Sequence, residues 1–291
     1  MTAATGAGAA GAARVISREI PLVATDGHRF QLLARIPDPV ERAMLWLPAL
    51  GVAARHYLPL ADALAPRGIA VFVHEWRGNG SSSLRAGRDC DWGYRELLQG
   101  DVPASQAAIA ETLPRTARIV GGHSLGGQLA CCRLALDPDA AQALWLVASG
   151  APYWRAFPPP LRWGLPLAYR FLPWLADACG ALPGQRIGFG GNEARGLIRD
   201  WARSALSGRY AAAGLDHDLE ARMVYIEVPV RAAVMRDDWL APESSLRFLL
   251  SKLPRSPLQA ATFDAGMLGT RADHFAWMRE PRAVATFLAG D

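Results

Sequence analysis

Gly122-His123-Ser124-Leu125-Gly126-Gly127 stands between an apolar run that includes Ile119 and Val120 and a helix-like segment, Gln128 to Leu136. A Gly-x-Ser-x-Gly phrase at a strand-to-helix junction reads as a sharp turn with the serine at its apex. Gly122 and Gly126 remove the Cβ atoms that would collide where a strand folds directly into a helix. The Leu125 N–H opens the new helix, where donors lack intrahelical partners and the dipole favours negative charge. A serine held there presents its hydroxyl to an open site, next to a donor suited to an oxyanion. The bland alternative is a Gly-rich turn without chemistry, and the rest of the chain decides between the two.

Working outward, Arg14 to Val23 and Arg29 to Ile36 alternate in polarity and are joined by Thr25-Asp26-Gly27-His28, a hairpin signal. Ala43 to Leu47 and Ile69 to Val73 are continuous apolar runs, as strands covered on both faces require. Helix-like segments, Tyr57 to Ala65 and about Trp92 to Leu113, alternate with these runs and lead to Ala117–Val120 and the serine turn. Another buried strand follows at Ala143 to Ala148. This alternation predicts an α/β fold: a mostly parallel, doubly wound sheet with an N-terminal β-hairpin.

The texture then changes. Residues 152–224 carry Trp154, Trp163, Trp174 and Trp201, many prolines and no β-branched run. They are expected to form a helical cap inserted after the sixth strand and lying over the site. Within it, Arg162, Arg170 and Asp177 interrupt the apolar stretch from Leu161 to Leu182, which is expected to pack on the core. The parallel pattern resumes with a strand from Val228 to Met235, a helix from Glu243 to Leu253 and a strand around Leu258 to Phe263. A closing helix runs through Leu288. The expected organisation is a disordered Ala/Gly-rich tail at 1–13, a core in two parts at 14–151 and 225–291, and the cap at 152–224.

Composition removes several function classes. A net charge of +4, with its basic residues scattered, gives neither a nucleic-acid stripe nor a polybasic membrane patch. The cysteines Cys90, Cys131, Cys132 and Cys179 form no Cys-x-x-Cys pair and are too few for a disulfide framework in 291 residues. A reduced, cytoplasmic setting is expected. The first residues lack the charged and Leu-rich regions of a secretory signal. No run of about 18 uninterrupted apolar residues predicts a spanning membrane segment. No metal or organic cofactor site is visible, and the oligomeric state is not encoded legibly.

A serine hydroxyl is a weak nucleophile that needs a neighbouring base, and the base needs an orienting group. Asp237 and Asp238 both stand at the end of the strand after the insertion, and His274 stands in the loop after the last strand. Asp238 is favoured because the phrase Asp-x-x-x-Pro runs from it to Pro242 at the start of the next helix; Asp237 is then a loop or capping carboxylate. Among the other histidines, His28 lies in the hairpin turn and His217 in the insertion, either one open to solvent. His123 is held in the serine turn as a packing residue that points away from the site. A second oxyanion donor is expected from Pro48-Ala49-Leu50-Gly51-Val52: the Leu50 N–H, or alternatively that of Ala49.

These features resemble the α/β-hydrolase superfamily over nearly the whole chain. Most similar is a group of predicted serine hydrolases related to esterases, monoacylglycerol lipases and serine aminopeptidases. The resemblance rests on LPALGVAARHYLPLADALAPRGIAVFVHEWRGNGSS, VGGHSLGGQLA, WARSALSGRY and DHFAWMR. It implies Ser124 as nucleophile, His274 as general acid/base and Asp238 as the orienting acid, with Leu125 and Leu50 as oxyanion donors. It also implies a structural role for Glu75-Trp76-Arg77-Gly78-Asn79-Gly80-Ser81, in which Glu75 takes the place of the usual acid. Ser124 in place of an aspartate argues against epoxide hydrolases and dehalogenases. The expected activity is cleavage of a carboxylic ester or thioester of a fairly apolar small molecule. The competing readings are an acyltransferase using the same triad and a non-catalytic ligand-binding protein of the same fold.

Overall fold

The computed structural model describes residues 14–290, so the expected tail at 1–13 lies outside the described residues. An eight-stranded sheet forms from β1 (Arg14–Val23), β2 (Arg29–Asp38), β3 (Arg42–Leu47), β4 (Ile69–Val73), β5 (Ala117–His123), β6 (Ala143–Val147), β9 (Val230–Met235) and β10 (Leu258–Phe263). Its order is β1-β2-β4-β3-β5-β6-β9-β10. The hairpin β1–β2 and the β2–β4 pair are antiparallel, and every other pair is parallel. The remaining strands, β7 (Leu182–Pro183) and β8 (Asn192–Glu193), pair with each other in a small ribbon inside the insertion.

The apolar runs of the central strands divide their side chains by alternation, because successive residues of a strand face opposite sides. Ala43, Leu45 and Leu47 join one core layer, together with Phe72, Val120, Leu144 and Leu146. Met44 and Trp46 join the other, with Val71, Val73, Ile119 and Trp145. The helix Leu125–Leu136 fills the first layer with Leu129, Ala130, Cys131, Cys132 and Leu134. Helices Leu58–Leu64 and Arg282–Ala289 cover the second. Both faces are thus sealed, and the open end of the parallel sheet is the carboxyl edge of its strands, where such folds bind ligands.

Three expectations change. The segment from Trp92 to Leu113 is helical from Tyr94 to Thr112 but not α-helical throughout: a π-helical turn, Leu97–Asp101, lies between Tyr94–Glu96 and Val102–Thr112. Pro103 cannot donate to a carbonyl one turn back, and the widened turn accommodates that gap. The insertion contains the β7–β8 ribbon besides its helices Leu161–Cys179 and Arg195–Ser207, and two-residue strands leave no periodic signal. Finally, the stretch Leu161 to Leu182 does not bury all its apolar residues. Trp163, Leu167, Phe171 and Trp174 are 51–72 % exposed on the outer side of the long helix.

Candidate active site

Ser124 closes β5 and caps the helix Leu125–Leu136 with φ 55° and ψ −120°, a backbone conformation that non-glycine residues rarely adopt. Such strain costs on the order of 1–3 kcal/mol and persists only when the surroundings impose it. They do. The Ser124 N–H donates to the Val147 carbonyl across the sheet at 3.2 Å, and the Ser149 hydroxyl donates to the Ser124 carbonyl at 2.7 Å. A Cβ at Gly122 would collide with the Gly126 backbone, and one at Gly126 with the Leu47 carbonyl. These glycines are therefore required by close approach of strand and helix rather than by positive φ.

His274 and Asp238 meet although 36 positions separate them: Nδ1 of the ring lies 2.7 Å from Oδ2 of the carboxylate. A carboxylate only accepts, so Nδ1 carries the proton and Nε2 is left as a free acceptor. The other carboxylate oxygen accepts from the N–H groups of Leu240 (2.9 Å) and Ala241 (3.0 Å), which fixes the Asp238 side chain in the turn before Pro242. On the histidine side, Asp273 accepts from the N–H groups of Phe275 and Ala276, and Trp277 donates its indole N–H to the His274 carbonyl. The Asp237 N–H donates to the Ala272 carbonyl at 2.9 Å and ties the two loops together, while its side chain is exposed. The structure therefore joins Asp238, and not Asp237, to His274.

The loop after β3 is held from two sides. Trp76 donates its indole N–H to the Pro48 carbonyl at 2.8 Å, and the Ala49 N–H donates to the Tyr57 hydroxyl at 2.9 Å. That bond already engages the Ala49 N–H. Leu50, the next residue, lines the same pocket as Ser124, Leu125 and His274. Tyr57 in turn lies 2.9 Å from Nδ1 of His123. His123 does not simply point away from the site: it is fully buried, and its ring packs 4.7 Å from that of His274. Burial, and then the charge of His274, hold its pKa well below the usual imidazole range, so it stays neutral under the other ring.

The shared pocket measures about 270 Å³. Leu161, Leu165, Ala168, Tyr169 and Leu172 of the long insertion helix line it, together with Phe157, Phe189, Trp201, Trp239 and Phe275. Among the described residues no Asp, Glu, Lys or Arg side chain lines it. The Gln128 amide is the main polar addition, one helical turn beyond Ser124.

Sequence reasoning missed two features. His28, expected open to solvent, is buried, with Nδ1 3.1 Å from Asp101 and Nε2 2.9 Å from the Ser82 hydroxyl. This second Ser-His-Asp set is a buttress and not a reactive centre. Asp101 is clamped by Arg77 at 2.6 and 2.7 Å, and the Ser82 oxygen already accepts from the N–H groups of Gly78 and Leu84. Burial alone would raise the Asp101 pKa, but its bonds to Arg77 and His28 outweigh that and lower it. The other feature is Glu193, a carboxyl buried in the insertion whose recognised partner is the Gly191 N–H at 2.7 Å. Burial pushes its pKa up to about 7. Neither position carries a motif; only the packed fold brings these partners together.

Residues 38–264 match the family model described as serine aminopeptidase, S33. No curated protein sequence matches the chain. Solved structures share the fold at low identity. The esterase domain of a Rhodothermus marinus protein aligns with a TM-score of 0.60 at 15 % identity, over 94 % of this chain and 95 % of that one. A hydrolase from Pseudomonas aeruginosa PA01 aligns with a TM-score of 0.58 at 19 % identity, over 97 % and 100 %. Est816, described as an N-acyl homoserine lactone degrading enzyme, aligns with a TM-score of 0.56 at 17 % identity, over 93 % and 99 %.

Proposed function

The chain belongs to the serine aminopeptidase S33 family and is an α/β-hydrolase-type enzyme; on that premise we propose that it cleaves a carboxylic ester or thioester of a fairly apolar small molecule through an acyl-enzyme on Ser124. Nε2 of His274 takes the Ser124 proton as the hydroxyl attacks the carbonyl, and Asp238 stabilises the imidazolium that forms. The N–H groups of Leu125 and Leu50 receive the developing oxyanion; the first adds the favourable dipole of its helix N-terminus. The imidazolium then protonates the leaving group, and water, activated by the same ring, releases the acyl group. The neutral His123 beneath His274 adds no second positive charge to oppose this step.

The observation that carries this reading is the convergence of a strained serine and a carboxylate-bound histidine on one pocket free of charged side chains. Such a pocket suits an apolar acyl group. A pocket of about 270 Å³ has room for several methylene groups of an acyl chain. The preferred acyl group is accordingly of medium length. The test is hydrolysis of p-nitrophenyl octanoate by the wild type and Ser124→Ala. Loss of at least ~1,000-fold in kcat with an unchanged melting curve supports the reading; full activity in the variant refutes it.

A further inference from the structure

The long insertion helix Leu161–Cys179 is apolar on two opposite sides. Leu161, Leu165, Ala168 and Leu172 face the catalytic pocket, whereas Trp163, Leu167, Phe171 and Trp174 are 64, 72, 51 and 61 % exposed. With about 100° per residue, the four exposed side chains fall within about 80° of arc, a single stripe with no charged residue inside it. Rings within the stripe associate with one another: Phe171 and Trp174 lie 5.5 Å apart. A folded chain that leaves several large aromatic side chains contiguous in water marks an interaction face.

Charge decides which partner fits. From Tyr153 to Ile187 the sequence places Arg155, Arg162, Arg170 and Arg186 against a single acid, Asp177. That acid is taken up by Arg199 at 2.5 Å. Arg162 lies over the Trp163 ring, 5.7 Å from its centroid, and Arg170 holds the Pro166 carbonyl at 2.8 Å, so cations border the stripe. Two copies meeting through this face would bring like charges together. The four side chains also expose only roughly 500 Å², less than the ~800 Å² per partner of a standard interface. A layer of anionic headgroups over acyl chains matches both features, since Trp, Leu and Phe enter the headgroup–acyl boundary while arginines meet the phosphates. No helix among the described residues is long and apolar enough to cross a membrane, so the helix would lie on the surface and not span it.

We propose that the outer face of the helix Leu161–Cys179 docks the enzyme on an anionic lipid surface. Its inner face then stands over the catalytic pocket, and an apolar substrate leaving the lipid has one helix to pass. The docking itself does not depend on the catalytic reading above, so a binding experiment tests it separately.

The experiment is co-sedimentation of the full chain with vesicles of equal parts phosphatidylcholine and phosphatidylglycerol, and with phosphatidylcholine alone. The wild type is expected to pellet with the mixed vesicles and to bind at least ~tenfold more weakly to the neutral ones or at high salt. Replacing Trp163, Leu167, Phe171 and Trp174 together by alanine is expected to weaken binding to the mixed vesicles at least ~tenfold. None of the four lines the pocket, so hydrolysis of a short soluble ester serves as the check that the variant is folded. Arg162→Gln with Arg170→Gln is expected to weaken binding to the mixed vesicles and leave the neutral ones unaffected. Wild-type protein that stays in the supernatant overturns the proposal, as does a fourfold variant that pellets like the wild type. So does light scattering that shows a dimer which the variant converts to a monomer, since a second copy would then own the face.

Discussion

The Tyr57 hydroxyl lies 2.9 Å from Nδ1 of His123, and this pair joins the helix that follows the β3 loop to the strand end that leads into Ser124. The Ala49 N–H donates to the same hydroxyl oxygen. Tyr57→Phe removes both bonds and strands a buried N–H. The variant is expected to lose about 1–3 kcal/mol of stability by urea denaturation. Its kcat should fall roughly tenfold to a hundredfold with little change in KM, because Leu50 moves with its neighbour. Unchanged kcat would mean that the strut does not position the donor.

Asp238 and Asp237 separate cleanly by substitution. Asp238→Asn keeps an oxygen for the Leu240 and Ala241 N–H groups but offers His274 an N–H where it needs an acceptor. The imidazole is then held in the wrong tautomer, and kcat on an ester substrate should drop by about 10⁴. Asp237→Asn should stay within about twofold of wild type, because an exposed surface carboxylate adds little to either stability or rate. Equal losses in the two variants would contradict the assignment.

Two buried groups give stability opposite pH slopes. Glu193 has its folded pKa raised to about 7, so the stability tied to its protonated form is present at acid pH and lost as pH rises through about 7. His74 is fully buried and its pKa is lowered to about 4 by burial, so its contribution is present above the ordinary imidazole range and lost as pH falls through about 4. The two slopes offset each other at mildly acid pH. Glu193→Gln keeps an acceptor for Gly191 and cannot ionise. It should exceed the wild type by up to roughly 3 kcal/mol at about pH 8 and match it at about pH 4.5. Identical denaturation curves at about pH 8 would show that Glu193 does not ionise at a cost.

Acyl length should follow pocket volume. A ladder of p-nitrophenyl esters is expected to give its highest kcat/KM at a medium chain rather than at acetate. Leu172→Trp adds bulk to the pocket wall and should move the optimum to shorter chains without loss on the acetate ester. A flat profile in the wild type would mean that the acyl group does not occupy this cavity.

Much of this was legible in the sequence, for a physical reason. Apolar runs such as Ile69–Val73 must lie between two layers, and a Gly-x-Ser-x-Gly phrase between such a run and a helix reads as a sharp turn. The loops carrying Asp238 and His274 follow from strand order. What the sequence did not disclose depends on distance between parts of the chain. The Ala49 N–H is a free donor in any one-dimensional reading until Tyr57 reaches it. His28 reads as a turn residue until Asp101 and Ser82 close around it. The helix Leu161–Cys179 was expected to face inward because an apolar residue carries no mark of which side it takes. With apolar residues on both sides of the helix, periodicity gave no answer.

The central claim, that Ser124 is the acyl-accepting nucleophile, is tested most directly by labelling with a fluorophosphonate followed by peptide mass spectrometry. The account predicts a single adduct on Ser124 in the wild type, blocked by prior incubation with a medium-chain ester, and no adduct in folded Ser124→Ala. An adduct on another residue, or a folded wild type that is never labelled while still hydrolysing esters, would contradict it.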